Sequence, residues 1–270
     1  MSRRIALLAG NREFPLHVAR AAQALDVEMV AIALYEETSP ELATLVPRIH
    51  WIHLGQVGKF LEILKTEHLT EVLLAGQVHP SHVTKYLAHL DGTGLQLLAR
   101  AATQHGRDIL KALAALLGDR GITLLDSSIF LKAWIPDAGV LTQRAPTAQE
   151  QAAITFGVAQ AQTLAAAGIG QTLVVKDRAV VAVEAMEGTD AAIRRAGEVA
   201  GPGTVVVKLP EPGHDMRFDI PVVGTATVEA MAAAGATALA VAAGKTLLLD
   251  RPALVALADR HALALIAVAA

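Results

Sequence analysis

Residues 3–15 read RRIALLAGNREFP, and this stretch decides how the rest of the chain is understood. From Ile5 to Ala9 it is uniformly apolar, as expected of a strand buried on both faces. It breaks at Gly10-Asn11-Arg12-Glu13, too early to complete the core of a secretion signal, so it is read as a first strand. A helix is expected from Phe14 to Leu25. The alternation then repeats, with strands in VEMVAIAL (27–34), IHWIHLG (49–55) and EVLLAG (71–76), and a helix over Val57–His68. Such a rhythm is that of a parallel sheet with crossover helices.

Residues 94–120 turn helical, with Leu95, Leu98, Ile109, Leu113 and Leu116 assigned to inner faces. WIPDAGVLTQRAPT (134–147) reads as a Pro- and Gly-containing linker leading into a helix over residues 148–167. QTLVVKDRAVVAVE (171–184) is a hairpin turning at Asp177-Arg178. A helix from Asp190, strands in TVVVK, IPVV, ALAV and TLLL, and a final helix and strand follow. The expected architecture is α/β in two domains: a Rossmann-like parallel sheet with a helical extension over residues 1–132, and a second α/β domain over 133–270.

Composition removes several function classes. Of the 270 residues 53% are hydrophobic and 18% charged, which excludes a disordered chain. Aromatic residues are 3% and the net charge is -3, so neither stacking platforms nor a basic face points to nucleic acid. With no cysteine, thiolate and zinc-thiolate chemistry are absent, and a reducing, cytoplasmic setting is expected. The most apolar late segment, residues 230–249, is interrupted by glycine and lysine, so no membrane span is expected, whereas surface association needs only a local apolar patch.

Some motifs fail mechanically. AAGKTLLLD (242–250) lacks the first glycine of a phosphate loop and leads into a strand. The first loop holds only Gly10 where a dinucleotide fingerprint needs three glycines, which argues against a standard NAD site and leaves a ligand crevice. His50 with His53, and His79 with His82, have the spacing of metal pairs. The first pair sits on an alternating strand and faces opposite sides, and the second lies beside a proline, so all four are read as ordinary histidines.

Three polar clusters at element ends remain. EAMEGTDAAIRR (184–195) reads either as a helix capped by Thr189 or Asp190 with solvated acids, or as a site in which the helix start holds an anion and Glu184, Glu187 and Asp190 hold a hard divalent ion. KLPEPGHDMRFDIPVVG (208–224) gathers Lys208, His214, Asp215, Arg217 and Asp219 before an apolar strand and moves the balance toward phosphate or metal chemistry. In ATQHGRDILKAL (102–113), His105, Arg107 and Asp108 either cap a helix or bind a ligand.

Four segments together, GLQLLARAATQHGRDILKALAALLGDRGI (94–122), FLKAWIPDAGVLTQRAPT (130–147), GIGQTLVVKDRAVVAVEAMEGTDAAIRRAG (168–197) and KLPEPGHDMRFDIPVVGTATVEAM (208–231), resemble the UDP-2,3-diacylglucosamine pyrophosphatase family of the LpxI type. VEAMEGTD and RFDIPVVG carry most of the specificity. The resemblance implies hydrolysis of UDP-2,3-diacylglucosamine to 2,3-diacylglucosamine 1-phosphate and UMP in lipid A biosynthesis, dependence on Mg2+ (or Mn2+), and a two-domain homodimer with substrate between the domains. It also implies a cytoplasmic protein acting peripherally at the inner-membrane surface.

By the same resemblance Asp219 is the essential carboxylate, and Glu187, Gly188, Thr189 and Asp190 lie beside the diphosphate. A family Ala-Gly-Gly-Gly run corresponds to Ala9-Gly10 followed by Asn11 and Arg12, a departure that removes two glycines. A second family element corresponds to Ala75-Gly76-Gln77-Val78. The expected site is therefore Asp219, Arg217 and Lys208 for catalysis, with Gly10, Asn11, Gly76, Gln77, His105, Arg107, Gly188 and Thr189 for substrate. Asp219, Glu187 and Asp190 are expected to hold the metal, which assists water attack on the phosphorus nearer the glucosamine. The leucine-rich helices over residues 94–117 are candidates for an acyl cleft. Two alternatives are another nucleotide-sugar enzyme, such as a transferase, and a non-catalytic protein that binds a nucleotide-linked lipid.

Overall fold

The computed structural model describes residues 3–79, 89–101, 106–211, 213–218 and 220–269. The chain divides into two compact units, Met1–Leu131 with Met216–Asp219, and Lys132–Asp215 with Ile220–Ala270. Each is an α/β layer structure.

The first unit contains strands β1 (Arg4–Ala9), β2 (Glu28–Leu34), β3 (Ile49–Ile52), β4 (Glu71–Ala75) and β5 (Thr123–Leu124). They form one sheet in the order β3-β2-β1-β4-β5, and every pairing is parallel. Its helices are α1 (Phe14–Ala24), α2 (Leu42–Leu45), α3 (Val57–Thr66), α4 (Gly92–Arg100) and α5 (Gly106–Gly118). The apolar run of β1 is buried because helices cover both sheet faces. On one face Ala6, Val30, Ile32 and Val72 pack with Phe60, Leu64, Leu97, Leu113 and Leu117. Each such large apolar side chain contributes about 1.5–3 kcal/mol through burial.

The expected single helical stretch is two helices. Ala101 adopts an extended conformation and ends α4. Leu97, Leu113, Leu116 and Leu117 are core, whereas Leu95 is 57% exposed, so the inward face of α4 runs through Leu97 and not through Leu95. These buried leucines are core rather than an open cleft. Asp91 fixes where α4 begins. Its Oδ1 accepts the Gly94 amide at 2.8 Å while its Oδ2 accepts the Gly58 amide at 2.7 Å, so one carboxylate caps both α4 and α3.

In the second unit the strands are β6 (Gly139–Val140), β7 (Thr172–Lys176), β8 (Ala179–Val183), β9 (Val205–Lys208), β10 (Val222–Val223), β11 (Ala238–Ala242), β12 (Leu247–Leu248) and β13 (Ala264–Val268). The main sheet runs β6-β13-β11-β9-β7-β8, and β10 pairs with β12. Strands β13, β11 and β9 are parallel, whereas β6, β7 and β8 are added antiparallel. Helices α6 (Ala148–Ala166), α7 (Thr189–Ala200), α8 (Thr225–Ala233) and α9 (Arg251–Arg260) cover the faces. Ile154 and Ala161 of α6 pack on Val175, Val205 and Val207. Ile193, Met231 and Leu254 pack on Val174, Val206 and Leu239 from the other side.

Residues 134–147 are not a linker. Gly139–Val140 pairs antiparallel with β13, Leu265 donates its amide to Thr142 Oγ1 at 2.9 Å, and Pro136 accepts the Gly244 amide at 2.9 Å. The proline, glycine and polar content suits a short strand that covers a sheet edge. Arg144 anchors it by donating to the Ala262 and Thr237 carbonyls and forming a two-pronged pair with Glu150 at 2.7 and 2.9 Å. Glu150 also completes the capping box with Thr147. Among the described residues no helix is long and apolar enough to cross a membrane.

Two stability predictions follow from these anchors. Asp91→Ala removes two caps at once and should cost about 2 kcal/mol, read as a lower urea midpoint with unchanged slope. Burial alone would raise the Glu150 carboxyl, but hydrogen bonds from Arg144, the Thr147 amide and Thr237 outweigh it and hold the carboxyl at about 2. A depressed folded value contributes stability above the unfolded value that is lost as pH falls, up to about 3 kcal/mol in all and roughly 2 kcal/mol by pH 3. Unfolding curves of wild type and Glu150→Gln at pH 6 and pH 3 should converge as pH drops. A constant gap between them would refute the assignment.

Candidate active site

Two groups of polar side chains lie at strand ends, one in each unit. In the first, the strand order reverses direction between β1 and β4, which opens a crevice beyond their carboxyl ends. The loops after these strands touch: Gly10 N donates to Ala75 O and Asn11 N to Gln77 O, both at 2.8 Å. A Cβ on Gly10 would stand 2.4 Å from Gln77 O, and one on Gly76, at φ +90°, would stand 2.6 Å from Asn11 O. Both positions therefore require glycine. Asn11 Nδ2 donates to Glu37 Oε2 at 2.8 Å, and Glu37 Oε1 accepts the His79 amide at 3.0 Å. Asn11 Oδ1 is buried and has no hydrogen-bond partner. The structure thus brings the predicted Gly10, Asn11, Gly76 and Gln77 together.

The second group surrounds Lys208, the last residue of β9, which is only 6% exposed. Its Nζ donates to Thr189 Oγ1 at 2.9 Å and to Thr172 Oγ1 at 3.1 Å, and lies 3.7 Å from Glu184 Oε2. Thr189 Oγ1 donates in turn to Glu184 Oε1 at 2.8 Å. Glu184 Oε2 is buried with no hydrogen-bond partner. The antiparallel register aligns Thr172 with Lys208, and the Glu184 amide bonds to Thr172 O at 2.9 Å, so three strand ends meet the first turn of α7.

The capping expectation for α7 is corrected. Gly188 occupies the N-cap at φ +83°, and no side chain caps the helix. Thr189 and Asp190 instead fall inside the first turn, where Thr189 points to Lys208 and Glu184, and Asp190 Oδ1 accepts from Thr227 Oγ1 at 2.9 Å. The amides of this turn keep no side-chain cap and form a ready cradle for an anion. Glu187 is exposed, with hydrogen bonds from its own amide and from Arg195 holding its carboxyl below the ordinary range; the Arg195 contact is 2.7 Å.

The predicted Arg217 lies in a segment bonded to Ser127, which donates to the Met216 and Arg217 carbonyls at 2.9 and 2.7 Å, and the neighbouring Phe218 packs on the first unit's core. The Arg217 guanidinium lies 5.8 Å from the Phe218 ring centre. Arg107 is half-buried in the first turn of α5, and Asp108 lies one residue further on, 3.7 Å from Lys111, rather than at a cap. Asp219 and His105 lie outside the described residues. Thr172 is the member that sequence reasoning left out, since it becomes visible only once the strand register is known. Glu184, a candidate ion ligand in the sequence, here accepts from Thr189 and faces Lys208.

The polar side chains around α7 are carboxylates and hydroxyls, the hard oxygen donors that Mg2+ or Mn2+ prefers, but the carboxylates go to separate partners, Glu184 to Thr189, Glu187 to Arg195 and Asp190 to Thr227. The orphaned Glu184 Oε2 is the clearest unfilled acceptor among them.

Comparison with known proteins identifies the family. The LpxI N-terminal domain matches residues 4–134 and the LpxI C-terminal domain residues 137–266. UDP-2,3-diacylglucosamine pyrophosphatase LpxI of Caulobacter vibrioides is 28% identical over 268 residues, covering 95% of this chain and 94% of that protein. Among solved structures, the biotin carboxylase domain of Hydrogenobacter thermophilus 2-oxoglutarate carboxylase aligns at 13% identity and TM-score 0.26, over 74% of this chain and 42% of that one. Glycinamide-RNase-transformylase T from Mycobacterium tuberculosis aligns at 15% identity and TM-score 0.26, over 67% and 44%. Likenesses this weak carry no argument. With both LpxI domains matched in order along almost its whole length, this chain belongs to the LpxI family.

Proposed function

We propose that this protein hydrolyses the diphosphate of UDP-2,3-diacylglucosamine, giving 2,3-diacylglucosamine 1-phosphate and UMP in lipid A biosynthesis. The observation that carries the reading is the buried Lys208 ammonium set against the uncapped first turn of α7. An ammonium held away from water is costly unless it has a task or a partner. Here Glu184 and two hydroxyls hold it beside a helix start suited to phosphate, within the motif Glu187-Gly188-Thr189-Asp190. Membership of the LpxI family and the activity named for the Caulobacter relative support the same reading.

In this mechanism the amides of Thr189 and Asp190 and the Lys208 ammonium bind phosphate oxygens and stabilise the charge that develops as the bridging bond breaks. Glu184 orients Lys208 and Thr189. Asp219 takes the proton of the attacking water, and Arg217 adds positive charge. Asp219, Glu187 and Asp190 would hold Mg2+ or Mn2+, which when bound supplies neutralisation of the diphosphate. Gly10, Asn11, Gly76 and Gln77 form the nucleotide crevice, and His105 and Arg107 contribute polar contacts to the substrate. We further propose a cytoplasmic homodimer that works peripherally at the inner-membrane surface, where a diacylated substrate resides.

The test is UMP release from UDP-2,3-diacylglucosamine by purified protein, with and without Mg2+. Asp219→Ala should abolish release while retaining substrate binding, and near-normal turnover in that variant would refute its catalytic role. Lys208→Met, checked for folding by circular dichroism, should lower kcat/KM by about 10²–10³, the usual cost of one preorganised charge-stabilising group. No UMP with any divalent ion would overturn the function itself.

A further inference from the structure

Three segments of the first unit converge on a second side-chain cluster that the proposed hydrolysis does not use. Glu36 lies just past the end of β2, His53 just past the end of β3, and His89 on the chain leading into α4. One donor atom from each residue lies within 4.8 Å of the other two. His53 Nδ1 and Glu36 Oε1 are 2.5 Å apart, and the His53 and His89 rings stack with centroids 4.0 Å apart at 8°.

The cluster is held from outside. Gln56 Oε1 accepts the His53 amide at 2.8 Å, and the Tyr35 ring packs on the His53 ring at 4.7 Å. Asp91, two residues after His89, bonds through its carboxylate to the Gly58 amide and through its amide to Gly55 O at 3.4 Å, so the His89 segment is pinned to the loop that carries His53. These contacts fix the backbone that carries His53 and His89, and the Tyr35 ring packs on the His53 side chain, the outer support that a metal site needs.

We propose that Glu36, His53 and His89 bind a borderline divalent metal ion of the zinc class. Two imidazoles and a carboxylate are a common zinc donor set, and they differ from the oxygen donors around α7, which suit a hard ion. Ligand atoms about 2.0–2.2 Å from one zinc ion stand about 3.4 Å apart in a tetrahedron, so small side-chain rotations close the site. Glu36 and His89 are exposed, which leaves a coordination position open to water or to a ligand atom.

The experiment titrates the full-length protein with Zn2+ and with Co2+ in the presence of excess Mg2+, reading heat and the visible ligand-field bands of Co2+. One ion per chain is expected. His53→Ala, His89→Ala and Glu36→Gln should each weaken affinity by at least the roughly 10–100-fold that loss of an outer-sphere partner costs. Asp190→Asn, altered at the α7 site, should keep the Co2+ spectrum. Circular dichroism of each variant checks the fold. No binding, or binding that survives all three substitutions, would overturn the proposal. Loss only in Asp190→Asn would also overturn it, by moving the ion to the other site. None of these outcomes depends on UMP release, so the site and the hydrolytic function stand or fall separately.

Discussion

A parallel strand covered on both faces cannot place a polar side chain along its length, and this constraint distributes the chemistry of the protein. In β1 every residue from Ile5 to Leu7 is fully buried, and β2 is the same from Val30 to Ala33. Polar groups are driven to the strand ends. At the amino ends of the first sheet, Arg3 pairs with Glu71, and Arg4, Arg48 and His50 converge on Glu67, which is 5% exposed. Burial would raise the Glu67 carboxyl, but those three partners outweigh it and hold it below its ordinary value. That end is closed by its own charge pairs. At the opposite end the loops after β1 and β4 hold Asn11, Glu37 and Gln77 together, and Asn11 keeps an unmet acceptor there.

Lys208 follows this rule in the second unit, and there it places a charge that is almost fully buried. It ends β9, so its stem is packed while its ammonium reaches the last layer before α7. Its neighbour Glu184 is part-exposed, yet the Oε2 of Glu184 is buried without a hydrogen bond. A network left incomplete in a low-dielectric setting is less stable than a complete one.

The sequence made the strands legible because burial on two faces leaves a continuous apolar signature, and the hairpin at Asp177-Arg178 was legible because a polar turn separates two such runs. Residues 134–147 misled because a two-residue edge strand has no periodicity to detect, and its proline and glycine content is shared by linkers. The α7 start misled for a related reason. Thr189 and Asp190 have cap chemistry, but Gly188 at φ +83° takes the cap position and turns both side chains inward. Contacts that depend on strand register, such as Thr172 with Lys208, and on three separate segments, such as Glu36, His53 and His89, carry no one-dimensional signal. His53 illustrates the limit. Its spacing from His50 was uninformative, since the two rings serve different partners, Glu67 and Glu36.

The first loop shows how backbone geometry can persist when the residues that make it easy are replaced. Where the family resemblance places a run of glycines, this chain has Gly10, Asn11 and Arg12, and Arg12 stands at φ +63°, in the left-handed region that glycine enters freely. Holding a non-glycine residue there costs on the order of 1 kcal/mol. The neighbouring contacts explain why the loop tolerates it. Gly10 is retained at the position where a Cβ would strike Gln77, and the Asn11 amide bonds to Gln77 O while its side chain reaches Glu37. The two loops are thereby locked across the crevice by an antiparallel bridge between Asn11 and Gln77. Side-chain hydrogen bonds do part of the ordering that close glycine packing would do alone, and the path of the backbone beside the ligand crevice follows from that bridge rather than from glycine content.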